Sequence, residues 1–338
     1  MYTTQGRYQN NMSNIQELPI AIDVDGGDDL AEVRMGIAQA REQGIYVFCV
    51  EGAKGGIQAL LMKNARAFVS AGNTQEVVRA AIRLGRIKFQ PPGFDKPRGI
   101  KPSIALELPT QVDEKHFVLC DSGGSVDVDE YDLVTFAHAG ATYFRELKFN
   151  PHSRVRVGIL AIGEGNDKLR PVDQKCLELL GGVRGFEIAG GVESRQILEG
   201  SVDVVICSGR DGNLSLKGVE AGVVMEHTIL RQEFARGFGS RLTGLAVKLI
   251  GHRAFARAKA RLNESRFAGG VLLGLEHENA AIFICHGRSS ADDIYDALDR
   301  AYRWGDAAAR MQVTLKEELL KHHPDWFSSL ATGAPHAP

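Results

Sequence analysis

Short runs in which nearly every position is apolar or β-branched recur along the chain, at residues 19–24, 45–50, 67–70, 103–108, 116–120, 155–162, 186–189, 202–207 and 280–285. They do not alternate with polar residues, the pattern of parallel strands covered on both faces. Helical spacing fills many of the gaps, at 30–43, 74–84, 129–144, 171–180 and 212–231. Strand alternating with helix predicts an α/β fold, a doubly wound and mostly parallel sheet. No internal repeat interrupts the order.

The ends differ from the middle. Residues 1–17 are rich in Gln, Asn and Thr, and 328–338 in Ala, Gly, Pro and His, so both are expected to be disordered tails. The segment 90–99 carries Pro91, Pro92, Gly93, Pro97 and Gly99 and is expected to be an irregular surface loop. With 338 residues, 44% of them hydrophobic and 24% charged, the chain can bury a large core. Forty basic against 42 acidic side chains give −2 at pH 7, too even a balance for a general nucleic-acid binder. No stretch approaches the roughly 18 apolar residues that cross a bilayer, and the polar N-terminus has no apolar h-region. A cytoplasmic protein is expected. The cysteines, Cys49, Cys120, Cys176, Cys207 and Cys285, show no Cys-x-x-Cys pair and read as reduced core thiols.

Candidate chemistry lies where strands end. Small Gly-rich turns follow several of them: Asp23 to Asp28, Ser70 to Thr74, Asp121 to Ser125, Gly163 to Lys168, Ser208 to Asn213 and His286 to Ser290. In an open sheet the ligand crevice lies beyond strand ends, glycines admit a ligand to the backbone, and free amides at the next helix start favour an anion. Lys168 and Lys217 are candidate counter-charges. Gly-x-Gly-x-x-Gly, P-loop, nucleophile-elbow and zincin motifs are absent. The residues point to phosphate handling, with no metal and no organic cofactor.

Taken in order, these turns resemble the PlsX phosphate acyltransferase family of bacterial phospholipid synthesis. Asp23 to Asp28 is similar to its Asp-Ala-Met-Gly-Gly-Asp, and Ser70 to Thr74 keeps its Ser-Ala-Gly-Asn-Thr. Leu108 to Thr110, Asp121 to Asp127, Ala161 to Glu164 with Lys168, and Gly190 to Arg195 resemble later motifs. So do Val205 to Lys217, Gly269 to Gly274 and His286 to Ser289. The likeness is collinear over about residues 19–303. Two departures stand out. The stretch between Asp23 and Ser70 is shorter than in the family, and it lacks the family's Lys-Lys-Asp-Ser-Ser.

The resemblance implies a sheet of the isocitrate/isopropylmalate dehydrogenase-like type with a protruding basic helical element. It divides the chain into an α/β domain at 18–304, with the helical tip at 227–265, and a C-terminal helix at 305–327. It implies transfer of an acyl group from acyl-acyl-carrier protein to inorganic phosphate, by a homodimer. Lys168, Lys217 and His286 are then the candidate catalytic residues. Asp23, Gly26, Gly27, Asp28, Ser70, Gly72, Asn73, Thr74, Asp121, Gly123, Gly163, Glu164, Gly212 and Asn213 are the candidate phosphate and substrate residues. Phosphate is itself the nucleophile, so the site must hold the dianion and stabilise an oxyanion, with amides of 72–74 and 212–213 as expected donors. Asp28 and Asp121 are expected to position donors. A non-catalytic relative that binds acyl groups, carrier protein or membrane stays open.

One further segment bears on location. From Arg231 to Arg261 there are eight basic residues and one acid. Leu242, Leu245, Leu249 and Ile250 fall on one helical stripe, with Arg253 and Arg257 among the flanking cations. An apolar stripe rimmed by cations suits an anionic membrane surface, so peripheral attachment to the inner face of the cell membrane is expected. The same cations would suit an acidic carrier protein.

Overall fold

The computed structural model describes residues 18–23, 30–148, 150–163, 165–236, 270–285 and 289–331, apart from the side chains of Val223 and His227. In chain order the elements begin β1 (Ile20–Asp23), α1 (Leu30–Glu42), β2 (Val47–Val50), α2 (Gly52–Leu61), β3 (Ala67–Ser70) and α3 (Thr74–Ala81). A small hairpin, β4 (Lys88–Phe89) with β5 (Arg98–Gly99), precedes β6 (Ser103–Pro109), β7 (His116–Cys120) and α4 (Glu130–Leu147). Then come β8 (Val155–Leu160), α5 (Pro171–Leu180), β9 (Phe186–Val192), α6 (Ser194–Leu198), β10 (Val204–Ile206) and α7 (Gly209–Ala235). The chain closes with β11 (Gly270–Leu273), β12 (Ile282–Ile284), α8 (Ala291–His322) and α9 (Ser328–Ala331).

Ten strands form one sheet in the order β2-β1-β3-β12-β11-β6-β7-β10-β8-β9. Parallel pairing holds the left four and the right four together. Between them β11 is antiparallel to both β12 and β6, and β6 is antiparallel to β7. The two parallel halves therefore run in opposite directions. The mostly parallel α/β sheet is as the apolar runs predict; the reversal at its centre is not visible in them.

The core follows from this layout. One face carries a continuous apolar layer under α1, α4, α5 and α8, including Ile22, Val118, Phe136, Tyr143, Ile294 and Leu315. The other face is divided. Ile57, Phe68, Val77, Leu84 and Ile104 form one cluster under α2 and α3, while Leu106, Leu119, Ile197, Val205 and Leu216 form another under α6 and α7. The boundary crosses β6 between Ile104 and Leu106.

Several boundaries differ from expectation. The helix expected at 305–327 begins at Ala291, where Ser290 and Asp293 form a capping box, and ends at His322 before Pro324. Residues 90–99 are closed by the β4–β5 pair, with the Arg98 guanidinium held between the Phe89 and Phe94 rings. Strand β11 and helix α2 are additional. Strand β11 is pinned to α8 by Gln312, whose amide accepts from the Gly274 and Leu275 amides and donates to the Leu272 and Ala280 carbonyls. Cys120, Cys176, Cys207 and Cys285 are buried free thiols, and Cys49 is exposed.

A buried histidine group joins α4 to the end of α8. The His138 and His323 rings meet Nε2 to Nε2 at 3.1 Å, and His323 stacks on Trp326 at 4.2 Å between ring centroids. Burial, then the neighbouring His323 and His322, holds His138 well below the usual imidazole range, and burial lowers His323 to about 4. The unfolded chain, near pKa 6.5, therefore takes up protons that the folded state refuses. Stability should fall as pH drops from about 6.5 to about 4, by at most roughly 1.4 kcal/mol per pH unit for each such group. In urea melts across this window, His323→Gln should shallow the decline; equal slopes for both proteins would contradict the assignment.

Candidate active site

Three of the strand-end turns meet on the divided face of the sheet. The first follows β3. Ser70 is buried, its hydroxyl donating to Asp23 Oδ2 at 3.3 Å and accepting from the Gly72 amide at 3.1 Å. These bonds tie the ends of β1 and β3 together. Asn73 caps α3, its side chain accepting from the Gln75 amide at 2.9 Å and the Glu76 amide at 3.4 Å. The Asn73 and Thr74 amides have no acceptor among the described residues, as is usual in a first helical turn.

The second turn follows β7 and is organised by one carboxylate. Asp121 has 0% exposure, and Oδ1 accepts from the amides of Ile104 (2.9 Å), Gly123 (3.1 Å) and Gly124 (2.9 Å). Its Oδ2 accepts from the Ser125 amide (2.7 Å) and hydroxyl (2.8 Å). Burial pushes the Asp121 carboxyl up, against the pull of these donors in the other direction. Asp121 thus holds its turn together and does not face solvent.

The third turn opens α7. Ser208 caps the helix by accepting from the Asp211 amide at 3.1 Å, and the Gly209 amide donates to Ser125 Oγ at 3.2 Å. No side chain fits here. A methyl at Gly209 would lie 2.5 Å from Asp121 Oδ2, and one at Gly212 only 2.0 Å from the Asp121 carbonyl. Helix α7 begins at Gly209, before the expected 212, so the Gly212 amide is bonded to the Ser208 carbonyl at 2.9 Å. The Gly72 amide is likewise occupied. The expected donors at Gly72 and Gly212 are therefore corrected: among the described residues the free amides at these helix starts are those of Asn73, Thr74 and Arg210.

Two contacts bring the turns together. Gln75 Nε2 donates to the Gly123 carbonyl at 3.2 Å, and Asn213 lies beside Gly123, whose added methyl would sit 3.9 Å from Asn213 Cβ. The starts of α3 and α7 therefore flank one crevice, with Gly123 between them. Both bring the positive ends of helix dipoles.

The charged candidates stand further out. Lys217, one turn beyond Asn213, is exposed and makes no ion pair among the described residues. Lys168 ends a short 3₁₀ turn and faces Asp167 at 3.6 Å, with Gly163 packed beside its side chain; among the described residues no hydrogen bond joins it to the crevice. Arg170 is closer in. Asp173 grips it at 2.9 Å and keeps its charge fixed, while Nη1 lies 3.8 Å from Asp211 in the first turn of α7. Arg170, Arg210 and Gln75 escape a reading of glycine turns; the signal available was a Lys-Leu-Arg sequence after the Gly163 turn. Gly26, Gly27, Asp28, Glu164 and His286 lie outside the described residues, as do Leu242, Leu245, Leu249, Ile250, Arg253 and Arg257. Among the described residues, no group of three or more His, Cys, Asp or Glu could hold a metal ion.

A family model described as "Fatty acid synthesis protein" matches residues 51–312, a span that takes in all three turns. The chain belongs to the fatty acid synthesis protein family. Three relatives share one name. A phosphate acyltransferase of Halalkalibacterium halodurans is 34% identical over 260 residues, covering 76% of this chain and 70% of that protein. The phosphate acyltransferase of Synechococcus elongatus is 34% identical over 69% of this chain and 63% of its own length, so the match spans somewhat under two thirds of that relative. Another, from Thermosipho africanus, is 29% identical over 83% of this chain and 77% of its own. Among solved structures, a branched-chain phosphotransacylase from Enterococcus faecalis V583 overlays on 87% of this chain and 99% of its own at 13% identity, with a TM-score of 0.48.

Within this family member the crevice depends on the contact between α7 and the Asp121 turn. Gly212→Ala forces a methyl against the Asp121 carbonyl, and should destabilise the protein by about 2–4 kcal/mol. Chemical denaturation checks this. A midpoint equal to that of the parent would show that α7 is not held against the turn.

Proposed function

We propose that this chain is a phosphate acyltransferase that moves an acyl group from an acyl-carrier-protein thioester to inorganic phosphate. The observation that carries the reading is the pair of helix starts, α3 and α7, that flank the Gly123 turn, in a chain whose relatives are named for this reaction. In the reaction a phosphate oxygen attacks the thioester carbonyl, the C–S bond breaks, and the carrier thiolate leaves and is protonated. No protein nucleophile is required. The chain's task is to hold a dianion and stabilise the tetrahedral oxyanion with fixed donors.

The amides of Asn73, Thr74 and Arg210 are suited to this, with Gln75 and Asn213 as polar side chains at the rim. Positive charge comes from Arg170, Arg210 and Lys217, which stand in for the Lys-Lys-Asp-Ser-Ser that the chain lacks. Lys168 serves at the outer rim. Asp23, Ser70 and Asp121 shape the loops, and Asp28, Gly26, Gly27, Glu164 and His286 remain candidates from sequence alone. The test is hydroxylamine trapping of acyl phosphate after the purified protein is mixed with acyl-carrier protein and phosphate. Lys217→Ala should retain product formation but raise the phosphate requirement by roughly 10- to 150-fold, the worth of one charge-assisted hydrogen bond. Absence of trappable product in the parent would end the acyltransferase reading; unchanged phosphate dependence would remove Lys217 from the site.

The reading extends to a homodimer working at an anionic membrane surface. Support for a dimer comes from α7, where Val224, Met225, Ile229 and Leu230 are exposed. Among the described residues no helix is long and apolar enough to cross a membrane. The basic segment 231–261 supplies the surface charge, at about 1 kcal/mol per cation before screening. Flotation with phosphatidylglycerol vesicles should occur at low salt and fall on changing Leu245 and Leu249 to Glu. Failure to float at low ionic strength would assign these cations to the carrier protein or the dimer.

A further inference from the structure

On the opposite face from the crevice, a cavity of about 550 Å³ opens between the C-terminal part of α4 and the last turns of α8. That volume lies within the usual range for small-molecule pockets. Thr142, Arg145, Arg184, Met311, Glu318 and Lys321 are among its lining residues.

Its charges do not cancel. Glu318 is already paired, by Arg145 Nη1 and by Lys321 Nζ, both at 3.0 Å; against burial, which pushes its carboxyl up, these cations hold it below the usual range. The other carboxylate of the lining, Glu146, is taken by Arg310 at 3.0 Å. Arg184 is exposed at the mouth and has no partner among the described residues. The cavity thus presents one unpaired guanidinium beside two cations that share a single carboxylate.

Its inner wall is polar and unsatisfied. Thr142 is 4% exposed and lines the cavity, yet its hydroxyl has no hydrogen-bond partner among the described residues. Buried polar atoms are nearly always bonded in folded proteins, and one that lines an open cavity marks a place where a ligand supplies the missing partner. Met311 and Pro151 add an apolar wall.

We propose that this cavity is a second binding site, separate from the acyl-transfer crevice, for a small organic oxyanion with a short apolar tail. Arg184 and Lys321 take the charged head, the Thr142 hydroxyl donates to it, and the tail lies along Met311. The proposal does not rest on the acyltransferase reading. Helix α4 starts at the Asp129 cap, a few residues beyond the Asp121 turn, and its C-terminal part lines the cavity, so one helix runs between the two regions.

The test is calorimetric titration of the full chain with hexanoate and with hexyl phosphate, backed by thermal melts. Saturable binding of at least one probe is expected, weakened about tenfold or more by Arg184→Ala, which removes a charge-assisted hydrogen bond. Thr142→Val should raise the melting temperature of the free protein, because it removes a buried unpaired hydroxyl, and should reduce the added shift given by the probe. Lys217→Ala should leave probe binding unchanged. Any other result overturns the proposal: neither probe binding at millimolar concentration, or binding indifferent to Arg184→Ala and Thr142→Val.

Discussion

The crevice is organised around the Asp121 carboxylate. Five donors converge on its two oxygens, from the start of β6, from both glycines of the turn, and from Ser125 by amide and hydroxyl. A buried carboxylate is costly unless its lone pairs are used, and here the surrounding backbone uses them. The same bonds freeze the 121–125 turn in one shape. Ser125, once fixed, receives the Gly209 amide, so the first turn of α7 is placed by a residue that Asp121 has placed. Glycine at 209 and 212 is the condition for that approach, since any side chain would meet Asp121 or Ser125.

The sheet supplies the space around this clamp. Were all ten strands parallel, the turns after β3 and β7 would leave the same edge. Reversal through β11 and β6 sets the two parallel halves against each other, and the apolar layer on one face divides at β6. Helices α3 and α7 cover the two parts, and the Gln75 to Gly123 bond marks where their starts meet. The opposite face has no such division. There α4 and α8 pack over a continuous core, and the polar cavity at their far ends is a separate feature of that layer.

Much of this was legible from sequence because burial on both faces writes strands as unbroken apolar runs, and because tight turns at strand ends use glycine. The Ser70–Thr74 and Asp121–Ser125 turns were read correctly as turns for that reason. Other features leave no local trace. Four apolar residues at Gly270–Leu273 read the same in a parallel or an antiparallel strand, so the reversal could not be seen. Helix α2 is built from Gly, Ala and Leu behind a cap, Glu51, that makes no side-chain bond, and so offers no start signal. The start of α7 is hidden in the sequence because Gly209 looks like part of a turn, although its glycine serves close approach. Arg170 gains its position through Asp173 and Asp211, one of them distant in sequence.

The proposed acyl transfer requires that the two helix starts and the Asp121 turn together cradle phosphate. A crystal structure of the protein with inorganic phosphate tests it most directly. An anion is expected within about 2.7–3.2 Å of the Asn73, Thr74 and Arg210 amides, beside Gly123. Phosphate bound elsewhere, with these amides facing only solvent, would contradict it.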